Sequence, residues 1–251
     1  MKKNAALLMV VSGILIFVLA ACFQDEGAIF DQIAMPDIGE DIGIIRTNYG
    51  DIMVRFFPEH TPFAVANFMG LAHRGFYENT IFHFAQEGFA IRGGDPDPDG
   101  YIDPERPGNM SAFPGGVPFD DEFTESLRHI RGALSMVNQG FPNSNTSQFF
   151  IVQNNQLEEA FANNFRMILD DPNMRFSDGT RVWDYWSPQL LTHWLENGGA
   201  PQLDFNHTVF GQVFSGMDIV DAIARTETDE NHRPLENIII FTIEIVPWNG
   251  F

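Results

Sequence analysis

Short runs rich in β-branched and aromatic residues, bounded by turn signals, dominate the chain from residue 43 onward. Ile44-Ile45-Arg46-Thr47 and Ile52-Met53-Val54-Arg55-Phe56 flank Asn48-Tyr49-Gly50-Asp51, a hairpin signature. The stretch FHFAQEGFAIRGGD, residues 82–95, reads as two short strands joined at Glu87-Gly88, then a glycine-forced turn. Further strand-like runs cover 132–137, 148–152, 208–214 and 238–246. Thr61-Pro62 opens a helix, with Thr61 as N-cap and proline at the first helical position. Val65, Phe68, Met69 and Ala72 recur at helical spacing there, with Gly75 just past the end; Met217, Val220, Ile223 and Ala224 mark a second short helix. Several strands with two helices and no βαβ rhythm predict a mainly β fold, a closed antiparallel barrel. No internal repeat is visible.

Composition supports one sizeable core or two small ones: 44% of the 251 residues are hydrophobic, with 25 phenylalanines. The formal net charge is −20, and the only lysines are Lys2 and Lys3. Binding to a nucleic-acid backbone, which needs a basic face, is therefore not expected, and no lysine remains for a Walker-type phosphate loop. Asp95 to Gly100, DPDPDG, mimics the start of a calcium-binding loop, but the twelfth position is Arg106 rather than glutamate. The seven histidines form no metal-spaced pair with a carboxylate, and no Gly-x-Ser-x-Gly occurs. Neither metal nor cofactor is expected.

The first residues read as a targeting segment. Lys2 and Lys3 form a positive start, residues 5–18 an apolar stretch, and Leu19-Ala20-Ala21-Cys22 ends it with small residues. That tetrapeptide resembles the lipobox of bacterial lipoproteins, which implies lipidation at Cys22, the chain's single cysteine, after removal of residues 1–21. The alternative is an uncleaved anchor, although the stretch is short of the ~20 residues a span needs. Either places the domain outside the cytoplasmic membrane and tethered to it. Residues 22–42, acidic and without periodicity, read as the tether, and 43–251 as the folded domain.

Five stretches, in order, carry a wider resemblance: TNYGDIMVRFFPEHTPFAVANFMGLA, GFYENTIFHFAQEGFAIRGGDP, FDDEFTESLRHIRGALSMVNQGFPNSNTSQFFIVQ, LDFNHTVFGQVFSGMDIVDAI and RPLENIII. Over residues 43–246 the chain resembles the cyclophilin-type peptidyl-prolyl isomerases. The resemblance implies an eight-stranded antiparallel barrel capped by two helices, and proline-containing peptide segments as ligands. It implies a proline pocket lined by Phe89, Phe150 and Leu203, with His207 at its edge. Gln148 matches a substrate-orienting glutamine and Asn138 an asparagine whose backbone binds peptide; Phe149, facing the other way along its strand, reads as core. Ala90 stands where many members carry methionine, which widens the pocket. Val137 replaces a smaller alanine, and Gln202 falls where some members carry tryptophan.

Two departures matter more. Phe84 occupies the position of the family's catalytic arginine, while Arg92 occupies that of a glutamine beside it. Arg92 either delivers its guanidinium into the vacated space, with Phe84 widening the apolar wall, or points to solvent or an aspartate. Residues 154–202 are an insertion. Leu157, Phe161, Phe165 and Ile168 predict one amphipathic helix, and Ser187-Pro188 opens another bearing Leu190, Leu191, Trp194 and Leu195. This helical hairpin reads as a stabilising appendage, or as a lid or client-binding element. Two functions follow: a monomeric, membrane-tethered prolyl isomerase assisting exported proteins, or a peptide-binding chaperone of the same fold with weak or no turnover.

Overall fold

Backbone alternation and turn chemistry produce the expected hairpin. In the computed structural model, which describes residues 31–96, 110–138 and 140–250, β1 (Asp41–Thr47) pairs antiparallel with β2 (Gly50–Phe56), Thr47 opposite Gly50. Thr47 Oγ1 donates to Gly50 O at 2.7 Å and accepts from Tyr49 N at 3.0 Å, which closes the turn. Seven more strands follow: β3 (Thr80–Phe82), β4 (Phe84–Gln86), β5 (Ala90–Gly93), β6 (Ala133–Met136), β7 (Phe149–Val152), β8 (Val209–Ser215) and β9 (Ile238–Pro247). Their order in the sheet is β3-β9-β1-β2-β8-β6-β7-β5-β4, antiparallel throughout.

Among the described residues nine strands stand where eight were expected, and the difference has a local cause. The two strands at the ends of this order, β3 and β4, are consecutive in the chain and separated by His83 alone. The run bends there, β3 pairing with β9 and β4 with β5, so the sheet curls back on itself. Gly93 permits the approach at this seam. A Cβ on it would meet Phe82 Cδ1 at 3.1 Å and Ile81 O at 3.3 Å. The predicted glycine turn follows at Gly94, whose φ of 81° suits glycine.

Two helices cover the barrel: α1 (Pro62–His73) and, after the insertion helices α2 (Glu159–Asp170), α3 (Val182–Tyr185) and α4 (Pro188–Asn197), the short α5 (Met217–Ala224). Phe68 of α1 reaches the barrel core, its ring 5.2 to 5.7 Å from those of Phe56, Tyr77, Phe149 and Phe210. Burying each such ring contributes ~1.5–3 kcal/mol. The start of α1 is where expected, but Thr61 does not cap it through its side chain. Its hydroxyl donates to Phe57 O, and the Glu122 carboxylate takes the cap instead, accepting from Phe63 N at 3.1 Å and Ala64 N at 2.9 Å.

Two other expectations are corrected. Residues 31–40, assigned to the tether, lie against the barrel. Gln32 is 1% exposed and binds Arg128 O and Gln212 Oε1, while Arg55 pairs with Glu40 at 2.8 Å. The insertion holds three helices rather than a two-helix hairpin, because a one-turn α3 too short to show periodicity lies between the two predicted ones. Ser187-Pro188 opens α4 as predicted, and Ser187 caps it, accepting from Leu190 N at 3.2 Å. The stripes of α2 and α4 bury on each other, with Phe165 stacked 5.5 Å from Trp194, and on Ile130, which lies just before β6.

Candidate active site

The barrel's outer face carries the site, and strand register decides which side chains reach it. Phe84 on β4 lies opposite Arg92 on β5, Arg92 opposite Phe150 on β7, and Phe150 opposite Ser135 on β6. Opposed residues share a face, so these four form one row across four strands. Ala90 and Val152 lie one step along on the same face, whereas Ala85, Ile91, Phe149 and Ile151 point into the barrel core. Phe149 is fully buried there, as the sequence predicts. Above the row opens an apolar cavity of about 240 Å³, lined by Phe84, Phe89, Ala90, Arg92, Val137, Phe150, Leu203 and His207. Eight of the ten residues expected to catalyse or bind therefore meet around one volume.

Arg92 is the cation in that wall. Its guanidinium carbon lies 5.7 Å from the centre of the Phe84 ring, a cation–π contact. Its Nε donates to His83 Nε2 at 3.0 Å. Burial pulls the Arg92 pKa below its ordinary value, opposed by Asp95, yet guanidinium stays charged at any working pH. Phe84 is held edge-on by two rings, Phe89 at 6.4 Å and His232 at 5.5 Å, so it is a fixed part of the wall. Across the cavity His207 meets the Phe150 ring edge-on at 5.3 Å, and burial, with His129 nearby, lowers its pKa and keeps it neutral at pH 7.

A buried polar group supports the pocket floor. The His129 ring stacks on Phe150 at 5.8 Å with planes 8° apart. Its Nδ1 lies 2.8 Å from Asp204 Oδ1 and its Nε2 3.0 Å from Ser135 Oγ. The trio has the atom order of a hydrolytic triad, but Ser135 is fully buried, its hydroxyl also donating to Thr208 O; it is scaffold. Asp204 also faces Arg128 Nη1 at 3.5 Å, and Arg128 lies over the rings of Phe205 and Tyr185, the latter from α3. The insertion thus touches the layer behind the pocket. Residue spacing gave no signal for this group.

Comparison with known proteins decides the family. Residues 43–245 match the sequence model of the family described as cyclophilin type peptidyl-prolyl cis-trans isomerase/CLD. The chain belongs to the cyclophilin-type peptidyl-prolyl cis-trans isomerases. It is 37% identical, over 86% of its length and 98% of the relative's, to a Staphylococcus saprophyticus protein named as a peptidyl-prolyl cis-trans isomerase. A Streptococcus pyogenes protein named as a bifunctional phosphatase/peptidyl-prolyl cis-trans isomerase is 41% identical over 88% of the chain, which spans only 43% of that longer protein. Among solved structures, a Cryptosporidium parvum cyclophilin crystallised in the presence of the dipeptide Ala-Pro matches with a TM-score of 0.58 at 30% identity, covering 82% of this chain and 98% of that one.

Two residues expected in the cyclophilin site stand beside the cavity rather than in its wall. Gln148 donates from Nε2 to Asp95 Oδ2 at 2.7 Å, while its backbone oxygen accepts from Val137 N. Asn138 donates to Asn206 O, next to His207, at 2.6 Å. A second, more polar cavity of about 410 Å³ adjoins Phe89 and is bounded by the start of the insertion, from Asn154 to Phe161, and by Gln202. Among the described residues no group of three or more His, Cys, Asp or Glu is placed to hold a metal ion. Cys22, the targeting segment and all but the start of the calcium-like motif lie outside the described residues.

Proposed function

We propose that this cyclophilin turns over X-Pro bonds with Arg92 supplying the donor that Phe84 cannot. Rotating the amide meets a barrier of ~18–20 kcal/mol, because twisting sacrifices resonance. At the top of that barrier the prolyl nitrogen regains a localised lone pair, and a donor aimed at it lowers the barrier selectively. No nucleophile, metal or cofactor is required. The apolar wall of Phe89, Phe150 and Leu203 grips the ring, and the donor comes from Arg92 Nη1 or Nη2, since Nε–H is committed to His83. The observation that carries this reading is the register. Phe84 and Arg92 are opposed on one face, so an arginine at either position reaches the same space, displaced by the ~4.5–5.5 Å between strands.

NMR exchange on a short Ala-Pro peptide tests it. Arg92→Ala should cost ~10²–10³ in turnover, the range for one preorganised donor, with peptide affinity nearly kept. Unchanged turnover in that variant sinks the donor reading. The second reading, a binder without turnover, is favoured by Phe84 itself. An inert native domain made active by Phe84→Arg would establish it.

We propose further that the protein works at a membrane surface. The Lys2-Lys3 start, the apolar stretch and Leu19-Ala20-Ala21-Cys22 support a lipid anchor at Cys22, so that monomeric domains act on exported chains outside the cytoplasmic membrane. The native protein should partition with membranes and carry acyl mass at Cys22; a Cys22→Ala chain that remains equally membrane-bound argues against it.

A further inference from the structure

His83 lies at the break between β3 and β4 and does not line the proline cavity, yet its ring holds the cation that does. To accept from Arg92 Nε, His83 Nε2 must be bare, so the ring is neutral and carries its proton on Nδ1. The two residues are clasped twice, since His83 N also donates to Arg92 O at 3.0 Å. A guanidinium is planar, so fixing Nε fixes the plane and heading of Nη1 and Nη2. From this contact we propose that His83 is a positioning residue that aims the Arg92 guanidinium across the proline pocket.

The other side of the ring supports that role. His83 Nδ1 is buried and has no hydrogen-bond partner among the described residues. Buried ring nitrogens are normally partnered at both ends, so packing alone does not explain a polar ring here. A leucine would fill the space without leaving an orphaned donor, but it could not orient Arg92. Burial first, then the charges of Arg92 and Arg233, push the His83 pKa down to about 4, which keeps the acceptor bare at neutral pH. The charged and titratable groups nearby are Arg92 of β5, Arg233, and His232, which packs on Phe84; Asp95 acts on Arg92.

This inference rests on the Arg92 reading, and the experiment separates the two. Turnover of an Ala-Pro peptide by NMR exchange, and peptide affinity by titration, would be compared for the native protein, His83→Leu, His83→Gln, Arg92→Ala and the double variant His83→Leu/Arg92→Ala. His83→Leu should lose about 10²-fold in turnover, the effect of a misaimed group, with affinity unchanged. His83→Gln, whose amide oxygen can accept from Nε, should recover most of it. The double variant should be no slower than Arg92→Ala. As the pH falls toward about 4 the native enzyme should slow as His83 protonates, and His83→Gln should not. Full turnover in His83→Leu beside a slow Arg92→Ala overturns the inference alone, as does a loss that glutamine fails to restore. An unaffected Arg92→Ala overturns both readings.

Discussion

Replacing Asp204 by asparagine tests whether the pocket floor depends on a buried charge. The Asp204 side chain is 6% exposed and that of Arg128 4%, so neither charge is solvated by bulk water. Asp204 accepts from His129 N at 2.9 Å, meets His129 Nδ1 at 2.8 Å and faces Arg128 Nη1 at 3.5 Å. Asparagine keeps an oxygen for the backbone contact but turns a neutral amide toward Arg128. Removing one member of a buried pair costs ~3–5 kcal/mol, mostly as the penalty on the stranded partner. Arg128 retains the Tyr185 carbonyl and two aromatic faces in both proteins, so these do not offset the loss. About 3 kcal/mol, the lower end, is expected for Asp204→Asn, because the amide oxygen still accepts from His129 N, and more for Asp204→Ala, which also releases the His129 ring. Urea unfolding of the purified domain measures this directly, as a shift in midpoint at constant slope. Since domains of this kind have ~5–15 kcal/mol in total, the shift would be large. A loss below about 1 kcal/mol would refute the argument, because it would mean that Arg128 does not rely on Asp204.

Glu122→Ala should cost ~1–2 kcal/mol, since its carboxylate caps two amides at the start of α1 in place of Thr61; Thr61→Ala, whose hydroxyl caps nothing, should lose less, and equal losses would contradict the assignment. Stability should also fall as pH drops from 6.5 to about 4, because the unfolded chain takes up a proton on His83 that the folded one refuses; the contribution is up to about 3 kcal/mol and should vanish in His83→Gln, as read by unfolding at several pH values. Asp221, whose pKa is net lowered by the hydrogen bonds of Arg131 and Gln153 against opposing burial, adds stability that is present above its ordinary carboxylate range and lost only below it, so Asp221→Asn should flatten the profile at its acid end.

Strand runs, both capping helices and the pocket wall were legible because each depends on local patterning or on a dense motif. What could not be read depends on contacts between distant residues. Glu122 reaches α1 from 58 residues away, and Asp204 meets His129 across 75. Gln32, in a stretch that looked like a linker, is fixed by partners 96 and 180 residues on. The one-turn α3 is shorter than any helical period can reveal. The Phe84 and Arg92 exchange was visible as two odd residues eight positions apart, but only register shows that they face each other. The role of His83 was hidden for the same reason: its partner is set by the bend that splits β3 from β4.

That register also bears on how such a site can change. On an antiparallel sheet a side chain's address is a row and a face, and the chain visits each row from several strands. Positions 84, 92 and 150 are three addresses opening on one volume. A function that needs a charge in that volume is therefore not tied to one codon. With Arg92 as the proposed donor, such a charge has moved sideways by one strand through two point substitutions, with the barrel's topology and the pocket's floor left as they were.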